Sequence, residues 1–154
     1  MVVGFAGAAL AHWVYQRGYV WENGSGKCLE ARSEISHGKG GGYSKANANS
    51  IKEIQYPWGE IDCNQKWRRP AGYIRVKNQL DVYTSGQWAF CRKTSLKYNS
   101  ADNWGVSKAR NWGTSPPCGS HYYTNWARAQ HIWQGDWTPG GWISSGGSHW
   151  LPAD

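Results

Sequence analysis

Two pairs of side chains have residue types that suit acid–base catalysis. Glu34 and His37 stand beside a glycine run in EISHGKGGGYSK. Glu60 and Asp62 are two positions apart, so a strand would place both carboxylates on one face. The glycine run lacks the spacing of a phosphate-binding loop, and residues 40–42 are more typical of a turn. We therefore expect His37 to be a loop or core histidine.

Serine and histidine neighbours give no better candidate for a nucleophile. His121 and His149 each follow a serine, but consecutive residues of a strand point to opposite faces, so these pairs cannot form a Ser–His unit unaided. The sequence also lacks a Gly-x-Ser-x-Gly elbow. We expect no catalytic residue and no enzymatic activity.

Four widely spaced cysteines, Cys28, Cys63, Cys91 and Cys118, form no C-x-x-C pair and have no clustered histidines beside them. This spacing argues against a zinc site, and we expect no metal or cofactor. An even number of cysteines in an exported protein predicts two disulfides. Three pairings are possible. We favour the sequential one, Cys28–Cys63 and Cys91–Cys118, with each bond contributing about 3 to 4 kcal/mol.

The first eleven residues, MVVGFAGAALA, are apolar and end in the small-x-small pattern Ala9-Leu10-Ala11 that signal peptidase cleaves. They are too few to span a bilayer, and no basic residue precedes them. We expect residues 1–11 to be the remnant of a secretory signal peptide, with a buried strand as the alternative. Residues 12–154 would then be a single secreted, extracellular domain without a membrane span.

Alternating patterns dominate the rest of the chain, at residues 13–21, 27–35, 73–83, 87–98, 127–135 and 141–150. They predict an all-β protein, a small disulfide-stapled antiparallel sandwich or barrel. TSG at 84–86 and GDWTPGG at 135–141 are turn signals. Residues 73–98 and 122–150 therefore form two similar hairpins that could pack against each other.

Aromatic residues supply much of the apolar surface, since the 154 residues include 12 Trp and 9 Tyr but only 2 Phe. Such side chains suit half-buried sites and interfaces. One interpretation is a cell-wall or carbohydrate-binding module whose tryptophans stack on sugars. The other is that they fill the core. The tryptophans concerned are Trp13, Trp21, Trp88, Trp133, Trp137, Trp142 and Trp150.

The formal net charge of +7 raises nucleic acid, acidic wall polymers and acidic proteins as partners. The positive charges are spread along the chain, and the densest cluster is short, so we expect no nucleic-acid partner. Trp67, Arg68 and Arg69 are candidates for gripping an acidic protein. The alternative is a tryptophan that packs beneath two solvated arginines.

Several motifs together resemble a known family: EISHG, GGGYSK, PWGEIDC, WRRPAGYIRV, NWGTSPPCG and GGSHWLP. The chain from about Cys28 to Pro152 is similar to the connector subunits of the umbrella toxin particles, which are small secreted Streptomyces proteins that take part in interbacterial competition. The resemblance implies an adaptor without enzymatic activity. It would link a lectin-bearing subunit with a trypsin-like domain to the stalk-and-ring toxin subunit.

The resemblance also implies a role for the extended segment at about residues 12–22. In that family this segment lies in the cleft of the trypsin-like domain, which makes Trp13, Tyr15, Arg17 and Tyr19 the expected anchors. An extended segment with side chains on alternate faces can bind a groove through its main chain and place specific side chains in pockets. Tryptophan and arginine are common interface hot spots.

Overall fold

The computed structural model describes residues 12–38, 40–146 and 149–151. The expected leader at residues 1–11 lies outside these ranges. No helix among the described residues has the length and apolar character needed to cross a membrane. The strands are β1 (His12–Glu22), β2 (Lys27–Gly38), β3 (Gly41–Gln55), β4 (Ile61–Lys66), β5 (Ile74–Thr84), β6 (Gln87–Lys93), β7 (Lys97–Tyr98), β8 (Gly105–Trp112), β9 (His121–Trp133), β10 (Asp136–Trp137), β11 (Gly141–Ser144) and β12 (His149–Leu151).

The strands form two curled antiparallel sheets that make a half-barrel, which confirms the predicted fold class. In sheet I, β1, β2 and β3 are consecutive neighbours. The other edge of β3 pairs with β8 along the first part of the strand and with β4 along its last part. In sheet II, β9 pairs with β5 on one side and with β10, β11 and β12 on the other. β6 and β7 pair with the outer edge of β5.

Strand β3 was not among the predicted strands, because its sequence GGYSKANANSIKEIQ is rich in glycine, serine and asparagine, which strands disfavour. Its inward side chains are small, with Ala46 and Ala48 completely buried. The predicted glycine turn is shorter than expected, since only Gly40 of the three glycines lies in the turn. Gly42 is part of β3, and glycine is needed there because a side chain would collide with the Ser36 carbonyl oxygen and the Trp112 ring.

The turn predicted at residues 84–86 is confirmed, whereas β10 (Asp136–Trp137) lies inside the turn predicted at residues 135–141. Ser85 and Gly86 link β5 to β6 with φ of 52° and 78°, and Gln134 and Gly135 link β9 to β10 with φ of 50° and 87°. Two consecutive residues with positive φ fit the right-handed twist of a tight hairpin. The two similar hairpins lie side by side in sheet II, because β5 pairs with β9.

The core between the sheets has two apolar clusters. One is built on Leu29, Ile74, Val76 and buried alanines, and the other on Ile35, Leu80, Val82, Tyr123 and Leu151. A third, smaller cluster surrounds Cys28 and Cys63. The disulfides join Cys28 to Cys63 and Cys91 to Cys118, so the expected sequential pairing is confirmed.

Buried polar side chains connect the two sheets. Asn125 of β9 is fully buried, and its amide nitrogen lies 2.9 Å from the Ser33 hydroxyl and 3.0 Å from the Lys45 carbonyl oxygen of sheet I. Asn78 of β5 donates to the Ser44 hydroxyl at 3.0 Å. Hydrogen bonds of this kind fix how the sheets align, because a slipped sheet would leave these amides unpaired in the interior.

Replacing Asn125 with alanine is expected to lower the free energy of unfolding by about 2 kcal/mol, because the change leaves buried acceptors without their donor. Urea unfolding of Asn125→Ala against the parent protein measures this loss. Asn111→Ala is the matched control, since Asn111 lies exposed in β8, and it should change stability by less than about 0.5 kcal/mol. Equal stabilities for the two variants would contradict a structural role for the Asn125 amide.

Candidate functional site

Glu34 and His37 do not form an acid–base pair. The β2–β3 register runs unbroken through both residues, so their side chains leave opposite faces of the strand. Glu34 faces outward, and its carboxylate lies 3.0 Å from Arg32 and 3.9 Å from Lys45. His37 is buried, as expected for a core histidine.

Glu60 and Asp62 have separate structural partners. The Glu60 carboxylate accepts a hydrogen bond from the Trp58 indole N–H at 2.8 Å, at the tip of the β3–β4 hairpin. The Asp62 carboxylate accepts one from the Tyr19 hydroxyl at 3.2 Å. Both carboxylates therefore hold aromatic side chains in place.

A Ser–His hydrogen bond does occur, between the Ser50 hydroxyl and Nδ1 of His131 at 2.7 Å. Both side chains are completely buried, so a substrate has no access to them. Burial, with the positive charge of Arg69 as a second cause, lowers the pKa of His131 to about 3. The imidazole is therefore neutral at physiological pH.

Trp67, Arg69 and His131 pack against one another in a cluster that we call the Trp67 cluster. The Arg69 guanidinium lies 3.8 Å from the Trp67 ring centre and donates to the Ile132 carbonyl oxygen. The Trp67 ring meets His131 and Trp133 edge to face at 5.8 and 5.9 Å. Arg69 is only 7% exposed, and burial lowers the pKa of its guanidinium.

The sequence candidates Trp67, Arg68 and Arg69 thus have different environments. Arg69 is buried inside the fold, and Trp67 is partly buried between its neighbours. Arg68 is exposed and forms an ion pair with Asp102 at 2.9 Å. Such an exposed pair contributes little to stability, so Arg68 is the member of the three that is available to another molecule.

The outer face of β1 presents Trp13, Tyr15, Arg17 and Tyr19, which we call the β1 surface. The three aromatic side chains are between 45% and 47% exposed. The structure therefore brings together all four anchors named from the sequence. The segment is extended as expected, but it pairs with β2 along its whole length and is a strand of this domain.

Charged residues beneath the β1 surface hold its rings in place. The Arg32 guanidinium lies 4.1 Å from the Tyr15 ring centre and 5.6 Å from that of Trp13. Glu34, only 3% exposed, holds Arg32 in turn. Ordered aromatic side chains lose little conformational freedom on binding, which favours affinity.

Tyr19 is fixed at the other end of the β1 surface. Its hydroxyl lies 3.0 Å from the Cys63 carbonyl oxygen and bonds to Asp62. Partial burial, followed by the negative charge of Asp62, raises the pKa of Tyr19 above its usual value. The hydroxyl is therefore a hydrogen-bond donor across the physiological pH range.

A second exposed surface lies on the outer face of sheet II. Trp88, Tyr83, Tyr122 and Trp150 are cross-strand neighbours in one line over β6, β5, β9 and β12. Each is between 41% and 47% exposed. Tyr83 meets Trp88 at 5.3 Å and Tyr122 meets Trp150 at 5.1 Å, both edge to face. We call this surface the aromatic row.

The aromatic row was only partly anticipated from the sequence, which marked Trp88 and Trp150 as sugar-stacking candidates but not the two tyrosines. The two-residue turn between Thr84 and Gln87 places Tyr83 opposite Trp88, so this pair could have been derived from the turn. The pairing of Tyr83 with Tyr122 depends on the contact between β5 and β9, which no local pattern encodes.

The other tryptophans proposed to stack on sugars occupy mixed environments. Trp13 and Trp142 are exposed. Trp21 and Trp133 pack on each other at 5.7 Å beside the Trp67 cluster. Trp137 is covered by the Arg75 guanidinium at 4.0 Å. The tryptophans therefore serve both the interior and the surface.

The described part of the chain brings together no group of three or more His, Cys, Asp or Glu side chains that could hold a metal ion. Two disulfides fit an oxidising, extracellular environment. No protein family, curated protein or solved structure gives a significant match to this chain. The β1 surface and the aromatic row are the candidate functional sites.

Proposed function

We propose that the protein is a secreted, non-enzymatic adaptor that binds two other proteins at once. Its partners are the lectin-bearing subunit with a trypsin-like domain and the stalk-and-ring toxin subunit of an antibacterial particle. The β1 surface binds the trypsin-like domain, and the aromatic row binds the ring. This assignment extends the resemblance of the sequence to the umbrella connectors.

The observation that carries the proposal is the presence of two exposed aromatic surfaces on the outer faces of different sheets. A monomer rarely exposes large apolar patches without an interaction to cover them, and tyrosine and tryptophan are typical of interface cores. Because the sheets pack face to face, a partner on one surface leaves the other accessible. Two independent sites are what an adaptor requires.

The charge of the protein gives further support. The net charge of +7 favours acidic partners and accelerates their association. Arg17 belongs to the β1 surface, and Lys93 lies 5.9 Å from the ring of Phe90, an exposed aromatic residue of β6 next to Trp88. Each aromatic surface thus has a cation within or close to it.

The direct test is to purify the protein gently from the culture medium of its producing organism. Size-exclusion chromatography followed by mass spectrometry identifies what elutes with it. We expect a large complex that contains a lectin-bearing chain and a stalk-like chain. Elution as a free monomer would contradict the adaptor function.

Substitutions in the two surfaces should separate the partners. Trp88→Ala with Trp150→Ala is expected to weaken binding of the stalk-like chain by about 30-fold, the typical cost of losing a hot spot, and to leave the other partner bound. Trp13→Ala with Tyr15→Ala should do the opposite. Pull-down of each variant, quantified by mass spectrometry, measures both effects.

Matched controls exist for both surfaces. Trp142 is as exposed as the tryptophans of the aromatic row but lies in β11, and Trp58 is 69% exposed at a hairpin tip. Trp142→Ala and Trp58→Ala should bind both partners normally. Loss of both partners in every variant would indicate unfolding, and equal retention in every variant would exclude both surfaces as binding sites.

A further inference from the structure

A shallow pocket of about 210 Å3 lies on the outer face of sheet I. Its floor consists of two cross-strand pairs of β3 and β8, Asn47 with Ser107 and Asn49 with Gly105. Gly105 creates the depression, because a side chain there would run into the Asn49 amide oxygen. The remaining lining residues are Asn103, Trp104 and Val106.

The pocket is polar but uncharged. Three side-chain amides and one hydroxyl offer directional donors and acceptors, and an indole ring stands beside them. None of the lining residues is ionisable, so the pocket has no group to compensate the charge of a phosphate, a carboxylate or a metal ion. Lys66 is not a lining residue, although its ammonium lies 4.7 Å from the Trp104 ring centre. A neutral, hydroxyl-rich ligand matches this chemistry.

The fold gains little from Asn47. Asparagine is disfavoured inside strands, yet Asn47 and Asn49 both lie within β3. Among the described residues, the Asn47 side-chain oxygen is buried and has no hydrogen-bond partner. An unpaired buried acceptor costs stability, so the fold by itself gives no reason for an asparagine at position 47.

Two neighbours orient the other amides. The Asn49 amide nitrogen donates to Glu30 at 3.0 Å, which leaves its oxygen directed to the Gly105 side. The Asn103 side-chain oxygen accepts the Trp104 backbone N–H at 2.8 Å, which leaves its amide nitrogen as a donor. The pocket thus presents fixed donors and acceptors before any ligand arrives, as pre-formed small-molecule sites do.

We propose that this pocket binds one neutral sugar residue of a glycan, a hexose or an N-acetylhexosamine. Amides bind the hydroxyl groups, and the Trp104 ring packs against the apolar face of the sugar. The volume of about 210 Å3 is smaller than that of pockets for drug-sized ligands, which begin at about 300 Å3, so it suits one ring. The proposal is independent of the adaptor function, since the pocket lies outside the aromatic row and the β1 surface.

Titration of the purified full chain with N-acetylglucosamine, mannose and galactose, followed by saturation-transfer NMR and calorimetry, tests the proposal. We expect at least one of these sugars to bind, and glucuronic acid to bind more weakly. Asn47→Ala should weaken binding by about 10-fold, the cost of losing one hydrogen bond from the pocket floor. Ser107→Phe, which fills the pocket from an exposed strand position, should abolish binding.

Asn111→Ala is the matched control, because Asn111 lies on the same face of β8 but outside the pocket. It should bind sugar normally. Binding that is absent for all three neutral sugars, or unchanged in both Asn47→Ala and Ser107→Phe, would overturn the proposal. Stronger binding of glucuronic acid than of the neutral sugars would contradict the proposal that the ligand is neutral. Loss of binding only in the double variant Trp88→Ala with Trp150→Ala would show that the sugar binds at the aromatic row instead.

Discussion

Replacing Cys28 and Cys63 together with serine is expected to lower the free energy of unfolding by about 4 kcal/mol. The bond joins residues 35 positions apart, and closing a loop of this length in the unfolded chain accounts for that loss in the chain-entropy description. A domain of ordinary stability has only about 5–15 kcal/mol in total. The variant should therefore remain folded but unfold at a much lower denaturant concentration.

The second disulfide provides the matched control. Cys91 and Cys118 are 27 positions apart, so their loop contribution is nearly the same. Cys28 and Cys63 are, however, buried with Ile51 in the smallest apolar cluster, whereas Cys91 and Cys118 are only partly buried. Serine hydroxyls in the buried cluster carry an added desolvation cost. Guanidinium unfolding of both double variants should show the larger loss for Cys28 and Cys63, and the reverse order would contradict this account.

The Cys28–Cys63 bond also helps to hold the β1 surface in place. The Tyr19 hydroxyl donates to the Cys63 carbonyl oxygen, so movement of β4 releases one anchor of that surface. In the serine variant, the partner binding proposed for the β1 surface should weaken, while the binding proposed for the aromatic row is retained. This selective loss distinguishes a local effect from global unfolding.

The fold class followed from the sequence where patterns are local. Alternation identified β1, β2, β5 and β6, and the turn residues at 84–86 identified the hairpin between β5 and β6. The disulfide pairing was anticipated but not decided by spacing. Strand β3 was missed because its inward positions are serine and alanine, whose burial depends on the close approach of sheet II rather than on their own hydrophobicity.

The candidate sites likewise include features that local patterns predict and features that depend on contacts between distant strands. The four residues of the β1 surface share one face because they alternate along one strand, so sequence placed them together. The pairing of Tyr83 with Tyr122 requires β5 to lie beside β9, and the floor of the pocket on sheet I requires β3 to lie beside β8. The sequence offers Arg69 as a partner-binding candidate, but the structure buries it against the Ile132 carbonyl oxygen and the Trp67 ring, which only the tertiary structure brings near.

Acidification is expected to destabilise the protein through His131. Complete burial, and secondarily the charge of Arg69, lowers the pKa of this imidazole to about 3 in the folded state, whereas the unfolded chain has a pKa of about 6.5. As the pH falls, the unfolded chain takes up the proton first. The stabilising contribution is complete above about pH 6.5 and is lost progressively as the pH falls toward about 3.

The expected loss from this residue between pH 7 and pH 4 is about 3 kcal/mol. His131→Phe isolates it, because phenylalanine keeps an aromatic ring beside Trp21 and Trp67 and does not titrate. The variant loses the Ser50 hydrogen bond and should be less stable at pH 7. Its stability should nevertheless decline less steeply with acid, since all other titrating groups are shared. Urea unfolding of both proteins across this pH range measures the difference in slope, and parallel declines would show that His131 does not carry the acid sensitivity.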